Sequence, residues 1–283
     1  MTEGGSAIKR CLDMLELLAD GRLAPLGEIS SDLALPKSAT HRLLQSLCEL
    51  GWVEQDQGSG NYRLTLRLAI AGQRLLVGTR SPEVCQPILD RMAREATDLV
   101  RLAVVQDESL TTVAFAQGAR VGLIYQPEMI ATVPLHCSAT GKAWLATLPN
   151  TEAVRLAVRQ KGFGQPGAFG PRALATVEDL ICHLEQARRR GWASAYEENE
   201  PGVAAVAAAI RQGGDVGSAV GAVSIAGPLT RYDEHGMQAA AARAMAGARA
   251  LAEVWPLHSF ASGRPLPSIR APTRDDTAIM QTA

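Results

Sequence analysis

The sequence predicts an α+β protein: an N-terminal winged helix-turn-helix followed by an α/β domain built on an antiparallel sheet. Three observations predict it. The first 65 residues read as three short helices and a hairpin. Beyond residue 98, apolar strand-like runs alternate with segments of helical period. A length of 283 residues suits about two domains.

The elements follow in order. Ile8, Leu12, Leu15 and Leu18 recur at helical spacing over 7–19, and Asp20-Gly21 stops that helix. A second helix follows Pro25, and a third runs from about Pro36 to Leu50, where Gly51 supplies a C-terminal stop. "WVEQD" and "NYRLTL" read as strands around the turn Gln57 to Gly60. Residues 66–78 and 82–97 are helical and join the domains, with a kink expected at Pro87. "LVRLAVVQ" and "TTVAFAQ" are strands around Asp107-Glu108-Ser109, and "VGLIYQ" is a third. "LHCSATGKAWLATLP" opens a helix after a small-residue loop, and "EAVRLAVR" is helical. "VEDLICHLEQARRRG" is a helix ending in cations, as its dipole prefers. "VAAVAAAIR" and "SAVGAVSIAGP" are short for helices and read as buried strands. An alanine-rich helix covers 233–254, and the proline-bearing tail from 256 is expected to be disordered. The domain boundaries are therefore 1–65, linker helices 66–97, and 98–255.

Composition excludes several classes. Hydrophobic residues at 47% allow real cores, and no apolar run approaches the ~18 residues of a membrane span. The start MTEGGSAIKR has no apolar stretch behind a basic end, so no signal peptide is read and a cytoplasmic location is expected. Five scattered cysteines without a CxxC support neither disulfides nor structural zinc. The pairs His136-Cys137 and Cys182-His183 lack standard finger spacing. Net charge, −1, decides nothing about nucleic acid, because a local patch suffices.

The third helix supplies such a patch. At about 100° per residue, Ala39, Leu43, Leu47 and Leu50 fall on one side with Leu44 at its edge. Lys37, Ser38, His41, Arg42 and Gln45 fall opposite, with no acid before Glu49. These are groups that touch phosphates and base edges in a major groove. Thr40 lies toward the core flank and ranks below them. In the wing, Asn61, Tyr62 and Arg63 offer phosphate contacts.

"LPKSATHRLLQSLCELGWVEQ" resembles the helix-turn-helix signature of IclR-type bacterial transcription regulators. "LHCSATGKAWLATLP" resembles that family's Pro-Leu-His-x-Ser/Thr-Ala-x-Gly-Lys-Ala-x-Leu-Ala block, and "GWASAYEENEPGVAAVAAAI" and "AVSIAGP" resemble its two closing strands. The resemblance runs over about residues 6 to 254. It implies a winged helix-turn-helix, a linker helix, and a GAF-like α/β domain that binds a small effector. It also implies a homodimer or homotetramer. One winged helix reads few base pairs, so pseudo-palindromic operator DNA is expected, and the residues call for no cofactor, metal or membrane partner.

Where Ser138-Ala139-Thr140-Gly141 enters a helix, free amides and the dipole favour a carboxylate, and small side chains admit it. A packing turn with a serine cap explains the same residues. The sequence departs from the pattern seen in glyoxylate- and pyruvate-responsive relatives. Ala195 stands where an acid is common, Ala205 where Cys is, Ala209 for Pro, and Ala226 for the second of two serines, of which Ser224 remains. The implied pocket is roomier and less polar, suited to an aromatic or multi-carbon catabolic acid. An enzyme acting on a small acid is the alternative. Glu197, Glu198 and Glu200 offer bases for it, yet no nucleophile, metal motif or phosphate loop accompanies them, and they read as a solvated turn.

Overall fold

A computed structural model describes residues 3–79, 81–106, 108–127, 132–160, 163, 167–212 and 218–255; the tail expected to be disordered lies outside them. The chain forms two compact units, Met1–Gly78 and Thr79–Ala283.

In the first unit, α1 (Glu3–Leu17), α2 (Leu26–Asp32) and α3 (Lys37–Glu49) precede the antiparallel hairpin β1 (Val53–Gln55) and β2 (Tyr62–Leu64), and α4 (Arg67–Thr79) follows. Its core joins Met14, Leu18, Ala24, Ile29, Leu44, Leu47, Val53 and Tyr62. The elements α1, α2, α3, β1 and β2 contribute one or two side chains each, so no pair of them is stable alone and they must close together. The apolar stripe expected on α1 divides. Leu18 is buried and Leu15 half-buried, whereas Ile8 and Leu12 are 65% and 54% exposed, because Met14 takes the inward position. Gly51, at φ +74°, turns the chain out of α3 in a conformation that an L side chain rarely adopts.

The second unit is an antiparallel five-stranded sheet in the order β4-β3-β7-β6-β5. Its strands are β3 (Leu99–Gln106), β4 (Ser109–Gln117), β5 (Ala193–Tyr196), β6 (Val203–Arg211) and β7 (Ala219–Pro228). Val100, Leu102, Val206, Ile210, Val223 and Ile225 face α5 (Ser81–Ala96) and α9 (Glu234–Val254). On the other face, Ala103, Ala195, Ala207 and Ala222 meet α6 (Ala139–Leu145), α7 (Asn150–Arg159) and α8 (Val177–Arg190). The two-residue alternation of strands thus splits one sheet into two cores. Alanines let α6 lie close on β6, and every α6 residue is buried.

Two expectations change. Val121 to Gln126 form no strand; Val121 and Leu123 are 84% and 65% exposed and have no sheet face to cover. Residues 193–196 form an edge strand that the sequence reading did not separate, four residues being too few to show a period. Helix α5 carries Pro87 inside its span, as the sequence reading placed it, and Cys85, Leu89, Met92 and Ala93 bury it in the second unit's core.

Candidate functional site

The turn before α3 is held locally. Ser30 Oγ donates to Leu35 O at 2.7 Å, and Leu35 N donates to Ser30 O at 3.0 Å. Ala34, at φ +50°, reverses the chain between them. Pro36 then starts α3 with no side-chain cap and no acid in the first turn. The amides of Lys37 and Ser38 therefore remain as donors at the positive end of a 13-residue helix.

Lys37, Ser38, His41, Arg42 and Gln45 are all exposed. None of their side chains has a hydrogen-bond or ion-pair partner among the described residues. Thr40 is a correction: it is fully buried, and its hydroxyl donates to Pro36 O at 3.2 Å. The buried stripe of α3 is Thr40, Leu44 and Leu47, rotated from the expected one because α2 and β1 both pack against this helix. Leu50, placed on the apolar side by period, is 60% exposed at the C-cap.

The wing is weaker than the reading helix. Tyr62 is a second correction: it lies in the core, 5% exposed, and its backbone pairs with Ala24. Arg63 is exposed, but its Nε donates to Glu54 Oε1 at 2.5 Å across the hairpin. Asn61 is half-buried beside the turn that Asp56 organises through Gly58 and Ser59.

In the second unit, Ser138 caps α6, its Oγ accepting from Gly141 N at 2.9 Å. Gly141 is required there, since a Cβ would lie 2.5 Å from Leu135 Cα. Ser138, Ala139, Thr140, Ala195 and Ala205 line one cleft together with Ala226 and Val203. Its remaining lining was not foreseen: Arg101, Tyr125, Asn199 and Glu200. The expected roomier, less polar pocket is not what this conformation has. The cleft's free volume is about 20 Å³, the scale of a water. Tyr125 closes it, donating to Glu200 Oε1 at 2.8 Å while Gln117 Nε2 donates to the Tyr125 carbonyl at 3.0 Å. Burial raises the Tyr125 phenol's pKa, and the Glu200 carboxylate adds to that. Arg101 supplies the cleft's cation. A lone arginine inside the apolar run "LVRLAVVQ" was the available signal for it. Ser224 pairs in register with Arg101 but does not line the cleft; its buried Oγ has no partner among the described residues.

Lys142 and Glu198, each within two residues of the cleft lining in sequence, form a buried ion pair. Lys142 Nζ is 2.6 Å from Glu198 Oε1 and 2.5 Å from Oε2, and both residues are buried. The third donor of Lys142 meets His183 Nδ1 at 3.2 Å. Glu198 thus corrects the solvated-turn reading, as does Glu200, which is half-buried and bonded by Tyr125. Burial pushes Lys142 down and Glu198 up in pKa, and their mutual attraction opposes both shifts. Burial and the Lys142 charge push His183 down to about 4. The pair ties α6 to the segment carrying Asn199 and Glu200. Among the described residues, no three His, Cys, Asp or Glu side chains converge to hold a metal.

A helix-turn-helix with a free polar face, beside a separate α/β domain, defines a DNA-binding transcription regulator with an effector domain. The IclR helix-turn-helix domain matches residues 7–57, and the bacterial transcriptional regulator IclR C-terminal family matches residues 76–253. The HTH-type transcriptional repressor AllR of Escherichia coli (strain K12) is 30% identical over 233 residues, 82% of this chain and 83% of that protein. The chain belongs to the IclR family of bacterial transcriptional regulators. Its fold is also that of solved structures. The IclR transcriptional regulator from Alicyclobacillus acidocaldarius has a TM-score of 0.75 at 20% identity, over 88% of this chain and 98% of that one. An IclR homolog complexed with 4-hydroxybenzoate from Microbacterium hydrocarbonoxydans has a TM-score of 0.68 at 23% identity, over 88% and 99%. Among the described residues, no helix is long and apolar enough to cross a membrane.

Proposed function

We propose that α3 reads a pseudo-palindromic operator and that a small carboxylate bound beside α6 controls this. The exposed face of α3 carries the reading, with the side chains of Lys37, Ser38, His41, Arg42 and Gln45 all unpartnered among the described residues. The amides of Lys37 and Ser38 suit a phosphate, and Arg42, His41 and Gln45 suit base edges. Arg63 and Asn61 take minor roles at the wing.

The carboxylate meets Arg101 and the amides of Ala139 and Thr140, which the Ser138 cap leaves over. Its body points toward Ala195 and Ala205. A ligand larger than a water must part Tyr125 from Glu200, so entry and closure belong to this contact. A relative crystallised with 4-hydroxybenzoate supports an aromatic acid as the first candidate.

Thermal-shift screening of organic acids tests the pocket, because a ligand that prefers the folded chain raises its melting temperature. A hit should lose about ten- to a hundredfold affinity in Arg101→Gln, the worth of a charge-assisted hydrogen bond. It should also weaken in Ala205→Leu. Equal binding in both variants puts the effector elsewhere.

A further inference from the structure

A second groove lies at the other end of β6. Strand β5 pairs with β6 only from Ala204 to Ala207, whereas β6 continues to Arg211. Beyond the short strand the sheet edge opens between α8 and α9 into a groove of about 710 Å³. Alanines of α6, α8, β6 and α9, with Trp192 and Met245, give it an apolar floor. Arg188, Arg189, Arg190, Arg211 and Arg249 line it against a single acid, Glu253.

The helix dipole accounts for the three arginines in the last turn of α8. It does not account for Arg211 on β6 or Arg249 on α9, which bring cations to the same groove from other elements. Two of the guanidinium groups are fixed in place. Arg188 donates to Ala146 O and Leu148 O at 2.9 Å. Arg190 lies 3.6 Å over the Trp192 ring and donates to Trp192 O and Ser194 Oγ. Arg189 and Arg249 are exposed and make no ion pair among the described residues. Burial lowers the Arg190 pKa, and the Glu198 carboxylate opposes that shift.

We infer that this groove is a second ligand site, for an organic polyanion with two or more carboxylates or phosphates on an apolar body. The arginines take the charges, bidentate where geometry allows, and the alanine floor takes the body. The site is separate from the Arg101 cleft, since the two share no lining residue. It stands or falls without the effector reading.

Calorimetry on the full chain with benzene-1,3,5-tricarboxylate tests it. The probe should bind at one site per chain and weaken at least tenfold in Arg189→Glu/Arg249→Glu. Arg249→Glu alone, at an exposed helix position, should weaken it severalfold should the double variant fold poorly. Pyrophosphate, a polyanion without an apolar body, should bind less tightly than the tricarboxylate. Unchanged affinity in both charge-reversal variants, or no binding of either probe, would overturn the site. Loss of the tricarboxylate in Arg101→Gln would place it in the other cleft and overturn the site equally. Pyrophosphate binding as tightly would remove the floor from the argument and with it the ligand class.

Discussion

Lys142 and Glu198 show how a residue's role escapes the sequence. Nothing in "TGKAW" or "YEENE" says that these two charges meet 56 positions apart, because the pairing depends on α6 lying flat on alanines of β6. Breaking such a pair leaves a buried charge behind, so Lys142→Met should cost about 3–5 kcal/mol in urea unfolding. The deficit should be smaller at pH 5 than at pH 8, since Glu198 without its partner escapes the penalty by taking a proton. Lys142→Met/Glu198→Leu should recover much of the loss, and a double variant no better than the single would refute the account. His183 gives a pH signature of its own. Its folded pKa of about 4 lies below the roughly 6.5 of an unfolded histidine. Between those values the unfolded chain holds a proton that the folded chain lacks, so acidification favours unfolding and the effect levels off below pH 4. His183→Gln should therefore lose less stability than wild type between pH 7 and 4.5 in thermal melts. Parallel pH curves would show that the ring titrates normally.

Elements were more legible than residues. Period and stop signals located α3 within a residue or two, because Pro36 and Gly51 act locally. They misplaced its buried stripe, because α2 and β1 decide which side faces in, and Thr40 went wrong for that reason; Tyr62 on β2 went wrong because its strand pairs with Ala24 and turns the ring into the core. The segment 121–126 has strand propensity but no strand beside it, and propensity without a partner makes no sheet. In the cleft, the Ser138–Gly141 turn was readable from small residues at a helix start. Arg101, Tyr125 and Glu200 arrive from three other segments that only the fold brings together. The exposed face of α3 carries its own prediction. Arg42→Ala should cost on the order of 1–3 kcal/mol of operator affinity and relax specificity at one base pair if the guanidinium reads a base. If it contacts phosphate instead, the loss should be uniform across sequences and the salt slope should fall by about one. Fluorescence anisotropy over a salt series separates these outcomes, and unchanged affinity at every salt concentration would remove Arg42 from the interface.

At the scale of the whole molecule, the first unit carries apolar side chains that stand exposed among the described residues. Ile8 and Leu12 on α1 are 65% and 54% exposed, and Leu66, Leu68, Ile70 and Leu75 at and along α4 range from 37% to 76%. Every side chain described on α4 is exposed. An isolated helix of 13 residues is marginal in water, and apolar patches of this kind mark association surfaces. A second copy is the economical partner, because one winged helix reads too few base pairs to be specific, whereas two related by a twofold read a pseudo-palindrome. The reading heads should then engage half-sites about 34–36 Å apart, or a multiple of that. Ile70→Glu/Leu75→Glu places charge on α4 without touching the first unit's core. Sedimentation equilibrium should show the wild type as a dimer or a larger even assembly and this variant as smaller, with operator affinity falling while the second unit's response to ligand persists. A wild-type chain that sediments as a monomer in the presence of operator would leave the α1 and α4 surfaces needing another partner and the palindrome without a cause.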